Sequence, residues 1–107
     1  MSQFDVHRNP GRNQLAIPYV VIVQSAAFDK LSRRLVIPLL AEAEAPVKIP
    51  YSGATPCIAI EGQRLVLNPF EMVSVEIARL GPKVASLADD GDVIISALDE
   101  VFLRARG

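Results

Sequence analysis

The side chains able to do chemistry near neutral pH are few in this chain. His7 is the only histidine and Cys57 the only cysteine. A cysteine beside a histidine is a nucleophile with its general base, so the two could form a catalytic pair if the fold brought them together. Cys57, however, opens an apolar run that ends at Ile60, a setting in which cysteine is a buried and unreactive hydrophobic residue. We therefore predict no catalytic residue.

Neither a metal site nor a cofactor site is predicted. One thiol and one imidazole cannot supply the four protein ligands of a structural zinc site. Asp89, Asp90 and Asp92 could form a carboxylate cluster for a metal ion. Such residues are also favoured at the start of a helix, which is the interpretation we prefer. Gly53 and Gly62 stand alone in the sequence and do not make a phosphate-binding glycine loop.

Arg33 and Arg34 form an adjacent pair of arginines ahead of an apolar segment. They could contact a phosphate group, but basic residues are mostly exposed, so a solvated strand end is the preferred interpretation.

Composition narrows the class of protein. The chain has 107 residues, half of them hydrophobic, with 11 basic and 12 acidic residues and a net charge of −1. This balance argues against a general nucleic-acid binder and against a polybasic membrane anchor. The length suits a single domain spanning residues 1–107.

The N-terminus, Met1–Asp5, lacks the charged region and apolar run of a signal peptide. The longest apolar stretch, Ile17–Val23, is far too short to span a membrane. A lone cysteine suits a reducing compartment. We expect a cytoplasmic protein without membrane association.

Most of the chain is predicted to form strands, because apolar residues alternate with polar ones or run together. Arg33–Leu40 should be buried on both faces, and Pro38, which lacks a backbone donor, should lie at an edge or a bulge. Ala41–Thr55 should be irregular, with at most a short strand near Val47–Ile49. The other expected strands are Gln3–His7, Leu15–Gln24, Met72–Arg79, and a hairpin of Cys57–Ile60 and Arg64–Leu67 around Glu61-Gly62-Gln63.

A helix is expected at the C-terminal end of the chain. Its apolar stripe recurs at helical spacing and consists of Ile94, Ala97, Leu98 and Val101. Arg104 and Arg106 suit the negative end of the helix dipole, and Gly107 suits the position after the last turn. The expected fold class is mainly β with α, an antiparallel sheet followed by a C-terminal α-helix.

Several segments together resemble the CcdB toxin family, the toxin half of a bacterial toxin–antitoxin pair. The resemblance covers nearly the whole chain and implies an SH3-like sheet or partial barrel followed by a C-terminal helix. Its most recognisable stretch is Val23-Gln24-Ser25 followed by Arg34–Leu39, with Arg33 doubling the arginine. The other matching residues are Gln3, Phe4, Val6, Pro56, Ile60, Met72, Ser74, Val75, Gly81, Val84, Ala85, Leu87, Asp92, Ala97 and Phe102.

The resemblance implies a homodimer that binds DNA gyrase through its A subunit, traps the cleaved-DNA complex of gyrase and performs no catalysis of its own. A cognate antitoxin would neutralise it, and operator DNA would be bound only through the antitoxin. Three segments of the family contact gyrase: the opening strand, the loop after Val-Gln-Ser and the end of the C-terminal helix. The corresponding residues here are Gln3, Phe4, Ser25, Asp99, Leu103, Arg104 and Ala105.

The end of the chain departs from the family pattern. The family's gyrase poisons end in Trp-Gly-Ile, whereas this chain has Leu103-Arg104-Ala105. Two neighbouring contact positions implied by the resemblance also differ: His7 and Phe28 stand where the family has a tyrosine and an aliphatic residue. The altered tail predicts weak gyrase poisoning or none. One alternative is a toxin–antitoxin dimer with another target or without toxicity. The other is an endoribonuclease toxin, which the resemblance also implies because related toxins of SH3-like fold include endoribonucleases. Such an enzyme would need a cation and a proton-transfer group around the scissile phosphate, and Arg33 or Arg34 with His7 is the set we nominate.

Overall fold

The computed structural model describes residues 2–44 and 53–102. Within these residues seven strands form one antiparallel sheet, curled into a half-barrel, and a helix follows it. The sheet order is β4-β5-β3-β2-β1-β7, and β6 pairs with β3 beside β5. This arrangement confirms the expected fold class. The elements are β1 Asp5–Arg8, β2 Tyr19–Ile22, β3 Arg33–Ala41, β4 Cys57–Ile60, β5 Gln63–Leu67, β6 Val73–Glu76, β7 Lys83–Ser86 and α1 Gly91–Phe102.

The main core lies between the concave face of the sheet and α1. Three residues that pair in register across β1, β2 and β3 are fully buried there: Val6, Val21 and Ile37. Ile94 and Ala97 of α1 pack into the same cluster and are also fully buried. The alternate residues of the strands face the other way and bury a smaller cluster of Val20, Ile22 and Val36. Both faces of β3 are therefore buried, as predicted.

Pro38 does not lie at a sheet edge, which corrects that expectation. It lies inside β3, opposite Val20 of β2. On the other side of β3 the partner changes from β6, which pairs with residues 33–36, to β5, which pairs with residues 39–41. The Pro38 carbonyl accepts a hydrogen bond from the Asn68 N–H on that side. Pro38 therefore lies at the junction between two partner strands. A proline can be accommodated there because its missing N–H removes no hydrogen bond from either ladder.

The predicted hairpin is confirmed as β4–β5, with a turn shorter than expected. Ile60 pairs with Gln63, so Glu61 and Gly62 alone form the turn. Both have positive φ, 52° and 79° respectively. This is the pattern of a type I′ turn, whose twist matches that of the flanking strands.

Three expected strands are shorter than predicted, and one strand was missed. β1 begins only at Asp5 rather than at Gln3, because Phe4 has a φ of 70°, which is outside the extended region. β2 begins only at Tyr19, because residues 9–17 form a loop in which the Asn9 side chain donates to the Arg12 and Ile17 carbonyls. β6 ends at Glu76, opposite the first residue of β3, and Ile77–Arg79 then forms a 3₁₀ turn. The missed strand is β7, which pairs with β1. The strand suggested near Val47–Ile49 lies outside the described residues.

The helix is confirmed, and it begins at Gly91 after a 3₁₀ turn. Asp89 and Asp90 lie in that turn and Asp92 in the first turn of α1, so their charges favour the positive end of the helix. The N-cap residue of the 3₁₀ turn is Leu87, not one of these aspartates. Of the predicted stripe, Ile94 and Ala97 are fully buried and Leu98 and Val101 half-buried. Arg104, Arg106 and Gly107 lie outside the described residues.

Candidate functional site

The opening residues of the chain lie against the end of β2. The Phe4 N–H donates to the Ile22 carbonyl at 2.6 Å, and the Gln3 side-chain amide donates to the Val23 carbonyl at 3.2 Å. Gln24 and Ser25 follow directly in the chain. The fold thus brings Gln3, Phe4 and Ser25, which the family resemblance placed in one contact surface, to the same end of the β1–β2 hairpin.

Phe4 is held in an unusual backbone conformation. Its φ is 70°, in the left-handed region that non-glycine residues rarely adopt. The Phe4 carbonyl accepts a hydrogen bond from the Leu87 N–H, and its half-buried ring packs at the start of α1. A Cβ added to Gly91 would lie 2.9 Å from Cε2 of that ring, so glycine is required for this contact. Phe4 is therefore a surface residue in a fixed position.

The loop between β2 and β3 contributes the second part of this surface. Its 3₁₀ turn, Ala26–Phe28, is capped by Ser25, whose hydroxyl accepts a hydrogen bond from the Ala27 N–H at 3.2 Å. Phe28 is 56% exposed and Leu31 is 57% exposed. The family resemblance already named Phe28 as a neighbouring contact position, where the family has an aliphatic residue, whereas sequence reasoning did not single out Leu31.

Of the remaining residues of the predicted contact set, the structure describes only Asp99, which lies away from this cluster. Asp99 is exposed on α1, eight residues and therefore about 12 Å along the helix from Gly91, where Phe4 packs. Leu103, Arg104 and Ala105 lie outside the described residues.

His7 is buried, which corrects its interpretation as a neighbouring contact position. It pairs with Val20 across β1 and β2, so its ring faces the smaller apolar cluster, and it is 3% exposed. Nδ1 lies 2.8 Å from the Gly81 carbonyl oxygen, which can only accept, so Nδ1 carries the proton of this bond. Nε2 is buried without a hydrogen-bond partner among the described residues.

Cys57 is exposed, which corrects the expectation that it is buried. The cause is its place on β4, an edge strand in which Ile58 and Ile60 face inward and Cys57 faces outward. Its Sγ lies 3.7 Å from a Glu42 carboxylate oxygen, which also pairs with the Arg64 guanidinium at 3.2 Å. Three strands separate β4 from β1 in the sheet, so Cys57 and the buried His7 do not form a pair.

The two arginines of the pair have opposite environments. Arg33 is exposed, as expected, and bonds to Ser74 and Glu76 of the neighbouring β6. Arg34 is 3% exposed, so the expectation of a solvated strand end is wrong for it. The cause is strand alternation, which turns Arg34 to the face of β3 that also buries Val36. Since β2 lies between β3 and β1, and His7 and Arg34 are both buried, the nominated ribonuclease set does not form an open site.

No group of three or more His, Cys, Asp or Glu side chains within residues 2–44 and 53–102 is arranged to hold a metal ion. The alternative of a metal cluster at Asp89, Asp90 and Asp92 therefore gains no support.

The described residues form a small sheet protein in which Gln3, Phe4 and Ser25 lie at one end of the β1–β2 hairpin. A family model described as CcdB protein matches residues 3–103. The chain belongs to the CcdB family, whose members are toxins of toxin–antitoxin systems. A search of curated protein sequences gives no match. In the part of the chain that the structure describes, no helix is long and apolar enough to cross a membrane.

Proposed function

We propose that this chain is a non-enzymatic, dimeric toxin that binds the A subunit of DNA gyrase and is neutralised by a cognate antitoxin. Family membership supports the toxin class. The observation that supports gyrase as the target is the shared location of Gln3, Phe4 and Ser25 at one end of the β1–β2 hairpin. The proposal includes one domain of residues 1–107 acting in the cytoplasm, with operator DNA bound only through the antitoxin.

The surface has the composition of a protein-binding site. Phe28 and Leu31 expose apolar area in the loop that Ser25 begins, and Gln3 lies at the same end of the hairpin. A large apolar side chain held in position at the centre of an interface contributes most of the binding energy, and the polar residues around it exclude water. Phe28 is the residue of this loop best suited to that role.

The proposal also includes weak poisoning by the native chain. Leu103-Arg104-Ala105 stands where the family's gyrase poisons have Trp-Gly-Ile. Loss of an interface tryptophan typically costs at least ~2 kcal/mol of binding free energy. The replacement of the glycine by Arg104 adds a charge and removes backbone freedom.

A homodimer is proposed on the basis of the outer side of α1. Ile95, Leu98 and Phe102 recur at helical spacing along one side of the helix, with Ile95 47% and Phe102 56% exposed and Leu98 half-buried. Contiguous exposed apolar area of this kind marks an interaction surface. The family pairs through its sheet, with the two C-terminal helices side by side near the dyad, and we propose that this stripe contacts the C-terminal helix of a second copy of the chain.

The binding proposal is tested with the purified A subunit of gyrase immobilised on a sensor surface. Phe28→Ser should weaken binding about tenfold or more, as expected for an apolar anchor. Leu15→Ser is the matched control, because Leu15 is 77% exposed in the loop at the opposite end of the same hairpin. Equal affinity of Phe28→Ser and wild type, or no binding by wild type at all, would contradict the proposal.

A further inference from the structure

The buried side chain of Arg34 donates hydrogen bonds to the backbone of the loop between β2 and β3. One terminal nitrogen of its guanidinium donates to the Leu31 carbonyl at 2.6 Å and to the Arg33 carbonyl at 3.0 Å. The other donates to the Asp29 carbonyl at 2.6 Å. Nε lies 3.8 Å from an Asp29 carboxylate oxygen, a distance of charge attraction rather than hydrogen bonding. A single side chain thus fixes three points of the loop backbone.

Gln24 holds the same loop from the other side. Its side-chain amide donates to the Phe28 carbonyl at 3.2 Å and to the Arg33 carbonyl at 3.3 Å. Its side-chain oxygen accepts from the Leu35 N–H at 3.3 Å. Gln24 therefore ties both ends of the loop to its centre, and Phe28 receives a restraint that Arg34 does not supply.

These restraints explain how the loop can present apolar side chains to water in one conformation. Phe28 and Leu31 are more than half exposed, so their own packing does not fix the loop. Their backbone is fixed instead, by bonds from Arg34 and Gln24 to carbonyl groups at or beside them. A loop ordered before binding loses less conformational entropy when a partner binds.

We propose that Arg34 and Gln24 are positioning residues for partner binding, and the proposal rests on the proposed function because its partner is gyrase. Arg34 is 3% exposed and so has almost no surface with which to touch a partner. An effect of its substitution on affinity must therefore act through the loop. The planar guanidinium supplies several donors in a fixed fork, whereas a lysine ammonium is a single point of charge, so lysine cannot replace this set of bonds.

The test combines amide hydrogen exchange with gyrase binding for Arg34→Lys and Gln24→Ala in the full chain. The amides of Asp29 and Leu31, which bond within the loop, should exchange at least about tenfold faster in both variants, while the core amide of Val21 keeps its rate. Dissociation from the purified A subunit of gyrase should accelerate in parallel. Arg33→Lys is the control, because Arg33 bonds to β6 and its side chain does not hold the loop.

Unchanged exchange in the loop would overturn the proposal, as would equal acceleration of loop and core amides, because that result indicates general destabilisation. Faster loop exchange with wild-type affinity would also overturn it. Gln24→Ala gives an independent reading if Arg34→Lys fails to fold. Absence of gyrase binding by the wild-type chain would refute gyrase as the target and the positioning role with it, whereas the exchange rates would still report whether the two side chains hold the loop.

Discussion

At the scale of single residues, Gly81 is the described glycine at which an added side chain would come closest to a backbone atom. A Cβ added there would lie 2.8 Å from the Arg8 carbonyl oxygen and 3.1 Å from the Arg8 Cβ. The first of these atoms belongs to the backbone of β1, which cannot move aside without disturbing the sheet. The Gly81 carbonyl is also the hydrogen-bond partner of His7.

Gly81→Ala should therefore lower the free energy of unfolding by ~1–3 kcal/mol, the usual cost of forcing extra volume into a packed site. The measurement is urea unfolding. Gly11→Ala serves as control, since a Cβ at Gly11 would meet only the Asn9 side chain, at an ordinary 3.5 Å. The same unfolding midpoint for both variants would show that the Gly81 segment shifts freely.

The environments of Arg34 and Cys57 show where sequence reasoning fails at this scale. Residue type predicted an exposed arginine and a buried cysteine, and both predictions are wrong. Their exposure depends on strand alternation and on whether the strand is central or at an edge. The position of each strand in the sheet is known only from the strand pairing. Among the described residues, β3 pairs with three strands and β4 with one. The left-handed φ of Phe4 has no sequence signal at all.

At the scale of elements, the β4–β5 turn contains a residue that is poorly suited to its backbone. Glu61 has a φ of 52° and Gly62 a φ of 79°. Glu61→Asn should raise the free energy of unfolding by ~0.5–1 kcal/mol, because asparagine tolerates the left-handed region.

Gly62→Ala should lower the free energy of unfolding by ~1–2 kcal/mol from backbone strain alone, since an added Cβ would have no neighbour within 4 Å. Thermal and urea unfolding measure both changes; a stabilised Gly62→Ala would contradict the turn type.

The helix is attached to the sheet chiefly through Ile94. Its side chain is fully buried in the main core, so Ile94→Ala should cost ~2–5 kcal/mol of unfolding free energy. Val93→Ala, at the adjacent position but 42% exposed, should cost less than ~1 kcal/mol. Leu98→Ala should fall between them, because Leu98 is only partly buried against the core. Urea unfolding that ranks Val93 above Ile94 would show that the helix packs through another face.

The elements themselves were largely predictable, because apolar periodicity reports which face of a segment is buried. β3, the β4–β5 hairpin and α1 have strong patterns and were found as expected. β7 was missed, because Lys83–Ser86 holds only two apolar residues, both partly buried. The β2 boundary was wrong, because hydrogen bonds of the Asn9 side chain organise the preceding loop.

At the scale of the whole molecule, the proposed homodimer predicts a mass near twice the 11.6 kDa of the chain in light scattering at micromolar concentration. Ile95→Asp places a charge in the apolar stripe of α1 and should shift the mass toward the monomer. Val93→Asp is the control, because position 93 lies about 160° around the helix from position 95. A monomeric wild type, or a dimer unaffected by Ile95→Asp, would contradict this interface.

Topology is also what assembles the candidate surface. Gln3 and Ser25 are far apart in sequence and lie at the same end of the hairpin because β1 and β2 pair antiparallel, which places Gln3 against Val23. Family resemblance could name these residues, whereas only the sheet register shows that they share one end of the hairpin. The resemblance could not reveal the restraints that Arg34 and Gln24 place on the loop, because those depend on the fold around each side chain.

The most direct test of gyrase as the target is trapping of cleaved DNA by purified gyrase. The native chain is compared at equal concentration with a variant carrying Leu103→Trp, Arg104→Gly and Ala105→Ile and lacking Arg106 and Gly107. A tryptophan concentrates binding energy in one buried pocket, and in the proposed complex Gln3, Phe4 and Ser25 would supply the rest of the surface. Weak or undetectable trapping by the native chain and clear trapping by the variant is the expected result. Strong trapping by the native chain would show that the tail does not determine poisoning, and no trapping by either protein would contradict gyrase as the target.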